Sequence, residues 1–269
     1  MLSNNNLNRN LETAELVGLS FGDGGLTPRF GTRRMKFQLR GDFKEDKEHY
    51  DDYIAPLFNK EVMLPLFNRN VGFVYNIKKN FYGISVESVK IEKFLNYLGI
   101  PSGAKKELFI PTWIKSNLDY CKGFLRGFFD TDGSIFCQRN YSIKNNVNHT
   151  QVRISLVSTS ENLMKEIQKL VKDLGIKSLI RKRKAKQNKD GYFRQDSYAV
   201  SICGGIQVNK WFEYMGSNNS KHITKYQVWK KFGFCPPFTN LETRKKMLKN
   251  ELSPYLYLAG MSERSNEHR

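Results

Sequence analysis

Two short segments of this chain share one pattern, an apolar helix that contains glycine and ends in Asp-Gly. The stronger copy, residues 124–135, reads FLRGFFDTDGSI, and the weaker copy, residues 15–26, reads ELVGLSFGDGGL. The two matching acids, Asp23 and Asp132, lie 109 residues apart, and self-similarity at such a distance is typical of a duplicated unit. The sequence therefore predicts two versions of one unit, each of which supplies one carboxylate to a shared site.

The charge of the chain narrows the kind of partner that it can have. Its 44 lysines and arginines exceed its 26 acids, for a formal net charge of +18. Such a surplus suits a polyanion such as nucleic acid, although ribosomal proteins and proteins at membrane surfaces share it. No apolar run reaches the roughly 18 residues of a membrane-spanning helix, and the first ten residues are rich in Asn. We therefore expect an intracellular protein, in the cytoplasm, the nucleoid or an organelle matrix, with no membrane span.

Alternating apolar and polar residues predict strands that face a core on one side only. Residues 34–40 place three large apolar side chains on one face, and residues 151–158 repeat the pattern in the second half. The outward side chains of the first strand are Arg34, Lys36, Gln38 and Arg40. Those of the second strand include Arg153 and Ser155. One face of each predicted sheet is therefore free to contact a partner.

The elements that follow each motif come in the same order, which predicts an α+β fold. A helix, a strand hairpin and a last helix follow the first strand pair, so the order is α, β, β, α, β, β, α twice. The repeats span residues 11–111 and 112–235, and residues 236–269 form a C-terminal helical extension and tail. The helix near residues 50–58 adjoins the one acidic region, residues 42–52, which we expect to face away from any phosphate backbone.

Polar residues at the predicted helix starts indicate how two helices of the second half begin. Ser158 and Glu161 have the spacing of a capping box before the helix at residues 163–174. Ser116 and Asp119 can cap the second motif helix. We expect these side chains to satisfy the free N–H groups of the first turns.

At this point the sequence resembles a known family. LVGLSFGDG at residues 16–24 and LRGFFDTDG at residues 125–133 resemble the two motifs of the LAGLIDADG homing endonucleases. FIPTWI followed by FLRGFFDTDGS is similar to the subgroup found in archaeal introns and inteins. The resemblance covers residues 11 to about 232. It implies a monomer with two pseudo-symmetric αββαββα repeats, a saddle of antiparallel sheets on DNA, and motif helices paired at the centre.

Small residues on both motif helices predict that the helices pack closely. Gly18 and Gly22 lie four residues apart on one face, as do Gly127 and Thr131. Small residues at such positions allow two backbones to approach almost to contact. We therefore expect the carboxyl ends of the two helices to meet.

The acids at these ends predict a cation site. Asp23 and Asp132 lie at the negative poles of their helix dipoles, and two like charges so placed repel unless a cation lies between them. Hard oxygen ligands that leave room for water and phosphate favour Mg²⁺. Gly24 and Gly133 are expected to take the left-handed conformation that ends a helix.

The resemblance adds roles for particular residues. In the family the aligned acids hold divalent metal at the scissile phosphates, with the preceding backbone carbonyls, here of Gly22 and Thr131, as additional ligands. Basic residues after the last helix of each repeat approach the active site, and they align with Lys221 and with Lys105 or Lys106. Their catalytic role would be to polarise water or to stabilise the charge of the transition state. A cation that ends a helix is the alternative interpretation.

The resemblance also implies that double-stranded DNA lies on the outer faces of the two sheets. Arg and Gln side chains there can read base edges, and Lys can anchor phosphates. A basic segment, residues 177–194, resembles a long hairpin and is expected to contact DNA, or else to be a solvated loop. Its predicted DNA contacts are Arg181, Lys182, Arg183 and Lys184, and its other basic residues are Lys177, Lys186, Lys189 and Arg194.

The motifs also have simpler interpretations. A single Asp-Gly at a helix end is most often only a cap and turn, and the pairing of two such motifs argues against that interpretation. Asp130 has Phe21 as its counterpart in the first repeat, so we expect a structural role, or a role in supporting the metal ligands, rather than a catalytic one. An EF-hand fails because Tyr141 stands at the twelfth loop position, where Glu is needed. The cysteines and histidines lack the spacing of a zinc or disulfide framework.

The sequence thus predicts a site-specific homing endonuclease that makes a double-strand break in DNA by Mg²⁺-dependent hydrolysis. Asp23 and Asp132 are the predicted metal ligands. The alternatives are a maturase that binds intron RNA and a nucleic-acid-binding protein of the same fold that does not cleave. A basic ribosome-associated protein would explain the charge but not the paired motifs.

Overall fold

The chain folds as two repeats of one α+β unit, as the sequence predicts. The computed structural model describes residues 9–29, 31–103, 105, 107–139, 150–185 and 195–257. The first repeat comprises α1 (Leu11–Gly22), β1 (Gly24–Pro28), β2 (Met35–Asp42), a helical segment, β3 (Gly72–Asn76), β4 (Phe81–Glu87) and α5 (Val89–Leu98). The second comprises α6 (Thr112–Lys115), α7 (Leu118–Asp132), β5 (Gly133–Gln138), β6 (Gln151–Ser158), α8 (Glu161–Asp173), β7 (Leu179–Arg183), β8 (Ser197–Cys203) and α9 (Gly205–Tyr214). Two more helices, α10 (Ser220–Phe232) and α11 (Leu241–Leu248), follow.

The helical segment of the first repeat is longer and less regular than the single helix predicted near residues 50–58. It consists of α2 (Lys47–His49), a π-helical turn (Tyr50–Ile54), α3 (Ala55–Phe58), a second π-helical turn (Asn59–Met63) and α4 (Leu64–Phe67). Pro56 and Pro65 lie in the first turns of α3 and α4. A proline has no N–H to donate to the carbonyl four residues back, so the α-helical ladder is interrupted there.

Each repeat contains one antiparallel sheet of four strands. The strand orders are β1-β2-β4-β3 and β5-β6-β8-β7, so the two sheets have the same topology. In β2 the three apolar side chains are buried, whereas Lys36 and Gln38 are half-buried and Arg40 is exposed. The predicted alternation is therefore confirmed. No helix in the described part of the chain combines the length and the apolar character that a bilayer crossing requires.

The motif helices α1 and α7 pack against each other through their small residues, as predicted. A Cβ atom added to Gly18 would lie 2.2 Å from the carbonyl oxygen of Phe124. A Cβ atom added to Gly127 would lie 2.2 Å from the carbonyl oxygen of Glu15. Real Cβ contacts are never so short, so only glycine allows the two backbones to approach this closely. The pair forms the junction between the repeats.

The predicted helix caps are wrong in detail. α8 begins directly after Ser160, whose Oγ accepts a hydrogen bond from the N–H of Leu163, so Ser160 and not Ser158 is the N-cap. α7 is capped by Asn117, whose side-chain oxygen accepts from the N–H of Asp119 at 2.8 Å. The helices start one or two residues away from the predicted positions, and the cap is the polar side chain directly before the first turn.

The glycines after the motif helices do not have the left-handed backbone predicted for them. Gly133 is extended, with φ −91° and ψ 164°, and Gly24 is not among the residues with positive φ. Both positions need glycine because there is no room for a Cβ atom. A Cβ on Gly24 would lie 2.6 Å from Cα of Ser20, and a Cβ on Gly133 would lie 2.3 Å from the carbonyl oxygen of Phe129.

The C-terminal helices fold back onto the acidic region of the first repeat. Arg244 of α11 is fully buried, and its guanidinium pairs with Glu45 at 2.7 Å. Lys245 pairs with Glu48, and the hydroxyl of Ser220 donates to the same carboxylate at 2.8 Å. Two acids of this region, Glu45 and Glu48, are therefore paired with cations of α11, which joins the C-terminal extension to the first repeat.

Candidate active site

The two motif acids meet where the carboxyl ends of α1 and α7 meet. Asp23 follows the last residue of α1, and Asp132 is the last residue of α7. A Cβ atom added to Gly22 would lie 2.0 Å from Oγ1 of Thr131 and 3.2 Å from the backbone nitrogen of Asp132. The close packing of the helices therefore brings together two carboxylates that are remote in the sequence.

These carboxyl groups are partly buried, which makes their charged forms costly. Burial, together with the charges of Asp132 and then Asp46, raises the pKa of Asp23 to about 7. Burial raises the pKa of Asp132 to about 6, although the charge of Lys105 opposes that shift. Both pKa values lie well above the ordinary aspartate value near 4. Without an added cation, the pair resists ionisation of both groups at once.

These raised pKa values predict how stability depends on pH when divalent cations are absent. Between about pH 4 and pH 7 the unfolded chain releases protons that folded Asp23 and Asp132 retain, so stability falls as the pH rises. Asp23→Asn removes one of these groups. We expect its melting temperature in EDTA to exceed that of the wild type at pH 7.5 and to lose this advantage at pH 4.5, as measured by calorimetry.

A matched control is Asp119→Asn, because the side chain of Asp119 is 70% exposed in the first turn of α7, at the other end of that helix from Asp132. This variant should show no such pH-dependent gain. An Asp23→Asn variant whose melting temperature follows the wild-type pH profile would contradict the buried-pair interpretation.

Lys105 lies beside both acids. Its Nζ donates to the carbonyl oxygen of Phe21 at 3.1 Å and to that of Gly22. Burial lowers the pKa of Lys105, while the charges of Asp132 and Asp23 oppose that shift. The structure thus brings together Lys105 and the Gly22 carbonyl that the resemblance implies as a metal ligand. Lys106, the other candidate, lies outside the described residues.

Lys221 also reaches the centre, but its partner differs from that of Lys105. Its Nζ lies 2.7 Å from Oδ1 of Asp46, a buried acid of the first repeat. The same oxygen accepts from the side-chain amide of Asn219 at 2.9 Å. The charges of both lysines lower the pKa of Asp23, so both lie within its electrostatic reach. The two lysines are equivalent in sequence but not in their surroundings.

Asp46 is a residue of the centre that the sequence did not reveal. We expected its acidic region to face away from phosphate, and Glu45 and Glu48 do pair with the C-terminal helices. Asp46 instead lies close enough to raise the pKa of Asp23. Nothing in the sequence separates this acid from its neighbours, because the helical turn that points it inward is not visible as a motif.

A second buried polar group joins the repeats next to the acids. Glu15 of α1 pairs with Arg126 of α7, and its other oxygen accepts from the side chain of Asn218 at 2.8 Å. Asp130, which is 1% exposed, accepts from the N–H of Asn218 at 2.8 Å. The placement of Asp130 matches the structural role expected for it. In the sequence, Glu15 and Arg126 stand out only as charged residues within apolar helices.

The chemistry of the centre suits a hard divalent cation. Two carboxylates and the carbonyl oxygens before them supply oxygen ligands only, and oxygen is what Mg²⁺ prefers. Burial raises the pKa of both acids even though the charge of Lys105 opposes the shift, so a cation between them would stabilise their charged forms. Within the described residues no group of three or more His, Cys, Asp and Glu could hold a metal.

The outer faces of the two sheets carry most of the predicted DNA contacts. In the first sheet the guanidinium of Arg40 lies 4.8 Å above the ring of Phe81, and Nε2 of Gln38 lies 3.4 Å from Oγ of Ser85. Lys36 projects from the same face, and Arg34 is exposed directly before β2.

In the second sheet Arg153 and Ser155 lie on the corresponding face of β6. Ser155 is buried, and its Oγ accepts from the guanidinium of Arg183 at 3.3 Å. Arg181 stands two residues before Arg183 on β7 and so shares this face.

Lys182 does not join this surface. It projects from the opposite face of β7, where its Nζ pairs with Asp196 at 2.7 Å and lies 5.7 Å from the ring of Tyr198. The period of two along a strand places alternate residues on opposite faces, so a run of four basic residues cannot face one partner. Lys184 is exposed after the end of β7. Lys186, Lys189 and Arg194 lie outside the described residues.

Comparisons with known proteins agree with this architecture. Residues 119–216 match the family model described as a LAGLIDADG-like domain. The structure resembles that of I-DmoI in complex with DNA and Mn, with a TM-score of 0.52 and 18% identity over 77% of this chain and 98% of that chain. It also resembles the meganuclease I-SmaMI bound to uncleaveable DNA, with a TM-score of 0.51 and 13% identity over 90% and 99% of the two chains.

Curated relatives match over most of this chain but little of their own length. The DNA-directed RNA polymerase subunit Rpo1N of Methanocaldococcus jannaschii is 27% identical over 225 residues, 79% of this chain and 16% of the relative. The tRNA-splicing ligase RtcB of Methanopyrus kandleri is 27% identical over 76% of this chain and 20% of the relative. The RtcB of Pyrococcus furiosus is 25% identical over 81% and 23%.

The family match covers the second repeat, and the structural matches extend across both repeats. Residues 119–216 therefore match a LAGLIDADG-like domain, and the chain has the fold of the homing endonuclease I-DmoI and the meganuclease I-SmaMI.

Proposed function

We propose that the chain is a site-specific DNA endonuclease that hydrolyses one phosphodiester bond in each strand of a long target. The observation that carries this proposal is the convergence of Asp23 and Asp132 in one partly buried centre that also contains Lys105 and Lys221. A fold that needed the Asp-Gly motifs only to end two helices would gain nothing from placing two carboxyl groups side by side. Buried like charges are costly and are typical of functional sites.

The residues of the centre have separate tasks in this proposal. Asp23 and Asp132 would hold Mg²⁺ or a similar cation, with the Gly22 and Thr131 carbonyls as further ligands. When bound, the metal would supply charge stabilisation and lower the pKa of a nearby water. Lys105 and Lys221 add positive charge where the transferred phosphate becomes more negative. Asp46 holds Lys221 in place through the 2.7 Å ion pair.

The outer faces of the sheets would hold the DNA. Arg40, Gln38 and Arg153 can contact base edges, and Lys36 can contact phosphate. I-DmoI and I-SmaMI have been seen in complex with DNA, and I-DmoI with Mn, Mg and Ca, which supports this placement and a divalent cation. As a monomer with two sheets, the chain would cover roughly two turns of duplex, on the order of 20 base pairs.

The names of the curated relatives do not supply a competing function. A polymerase subunit and a tRNA ligase have unrelated activities, yet both contain a segment that matches this chain. The matching segment is less than a quarter of each relative. It is therefore a module that accompanies those activities, and we do not transfer them to this chain.

The test uses the DNA on both sides of the gene. Joined without the intervening sequence, these flanks give a candidate target that is inserted in a plasmid, with a randomised plasmid library as a second substrate. With Mg²⁺ we expect the target plasmid to become linear at one position, and with EDTA we expect no cleavage. A protein that cuts neither substrate but binds the structured RNA of a surrounding intron would refute the endonuclease and favour the maturase.

A further inference from the structure

The loop between α10 and α11 presents an aromatic side chain to solvent in an unusual backbone conformation. Phe238 is 86% exposed, the largest exposed fraction among the large apolar side chains of the described residues. Its φ is +56°, in the left-handed region that residues other than glycine rarely adopt. A bulky side chain in this conformation costs free energy and buries almost no area. Such an outlier suggests a role that folding alone does not explain.

The loop holds Phe238 rigidly. Two prolines, Pro236 and Pro237, precede it, and a proline has little backbone freedom to lose. The hydroxyl of Thr239 donates to the carbonyl of Pro236 at 3.2 Å, and the hydroxyl of Tyr257 donates to the carbonyl of Phe238 at 3.3 Å. The ring is therefore presented from a fixed support and loses little entropy on binding.

Phe238 borders a cavity that opens beside the outer face of the second sheet. The cavity has a volume of about 440 Å³. Its lining includes Phe136, Gln138, Arg139, Lys225, Cys235 and Phe238. Phe136 pairs across the sheet with Arg153, so both project from the outer face of the sheet. The cavity is thus continuous with the surface proposed to contact DNA, at the free edge of β5.

The cavity is positively charged. Lys225 lines it without a hydrogen bond or ion pair to any residue that the structure describes. Burial lowers the pKa of Lys225, and the charges of Arg244 and Lys221 lower it further. An anion in the cavity would relieve this repulsion. A nucleotide carries a phosphate next to an aromatic base, which matches a lysine beside an exposed phenylalanine.

We propose that this loop and cavity form an additional nucleotide-binding site, in which Phe238 stacks on a base of the bound DNA and Lys225 contacts the adjacent phosphate. The inference rests on the proposed function, because it needs DNA on the outer face of the second sheet. It also gives the C-terminal extension a role that the duplicated unit does not supply. An apolar protein partner would favour the ring but would leave Lys225 without a counter-charge.

The test compares the binding of wild type and variants to a fluorescein-labelled 40-base-pair duplex of mixed sequence by anisotropy, between 50 and 200 mM KCl with Ca²⁺. Phe238→Gly should weaken binding by roughly 5- to 10-fold, since the contribution of a stacked base is partly offset by the cost of opening the base stack of the duplex. Phe238→Tyr should retain wild-type affinity. Lys225→Met should weaken binding and reduce the slope of log affinity against log salt by about 1.

Thermal unfolding separates this role from a structural one. Glycine adopts a φ of +56° without strain, so Phe238→Gly should leave the melting temperature unchanged or higher. Tyr75→Ala is the matched control. Tyr75 is 61% exposed, and it lies on the face of the first sheet opposite to the proposed DNA surface. Its affinity should equal that of the wild type.

The outcomes are distinct. Weaker binding by Phe238→Gly at an unchanged melting temperature supports the site. Wild-type affinity in both Phe238→Gly and Lys225→Met overturns it while leaving the proposed function intact. Loss of affinity together with a lower melting temperature also overturns it, since Phe238 would then be structural. A wild-type protein that binds neither this duplex nor the candidate target overturns the proposed function itself.

Discussion

Asp23→Asn and Asp132→Asn are each expected to lower double-strand cleavage by roughly 10³-fold or more. Asparagine keeps the size of the side chain but cannot supply the negative charge that holds a divalent cation. Since both acids contribute to one centre, the loss of either should leave the site unable to cut both strands. The measurement is the single-turnover rate of plasmid linearisation in Mg²⁺.

DNA binding should survive these substitutions. Removing a negative charge from a site that faces phosphate lowers repulsion, so affinity measured in Ca²⁺ should be equal to that of the wild type or higher. Asp119→Asn, on the exposed side of α7, is the control and should cut at the wild-type rate. Wild-type cleavage by either motif variant would show that the metal ligands have been assigned wrongly.

The largest expected effect on stability is that of Gly18→Val. A Cβ atom at this position would lie 2.2 Å from the carbonyl oxygen of Phe124 and 2.8 Å from the backbone nitrogen of Phe128. Both neighbours are backbone atoms of α7 and cannot move without separating the helices. Overpacking of side chains costs about 1–3 kcal/mol, and a clash with backbone should cost at least about 3 kcal/mol. Urea denaturation measures the change.

Gly25→Val is the matched control for this variant. No atom lies within 4 Å of a Cβ added to Gly25, which is in strand β1, and valine suits a strand. This variant should unfold within about 0.5 kcal/mol of the wild type. If Gly18→Val were equally stable, the motif helices would not be in the close contact that brings the two acids together.

The order of elements could be predicted because local patterns determine it. The strand at residues 151–158 also has the predicted bounds, since its apolar residues alternate with the period of a strand. The small residues of the motif helices likewise predicted their close packing. These features depend on neighbours in the sequence or on a pattern that occurs twice.

Features that depend on contacts between remote residues were not predictable. Asp46 reaches Lys221 across 175 positions of the chain, and no local pattern links them. The run of charge along the sequence groups Lys182 with its basic neighbours. The pleat of β7 instead turns the side chain of Lys182 to the opposite face of the sheet. The sequence predicts a left-handed backbone for Gly24 and Gly133. In the structure both positions need glycine because a Cβ atom would clash with the motif helix that precedes it.

The central claim is that Asp23 and Asp132 hold the same group of cations at the junction of the two repeats. The most direct measurement is the anomalous scattering of Mn²⁺ in crystals of the protein bound to its cleavage target. We expect Mn²⁺ to lie between the two aspartates, at roughly 2.0–2.6 Å from carboxylate oxygens of both. Mn²⁺ in two separate pockets, or bound by neither aspartate, would contradict it.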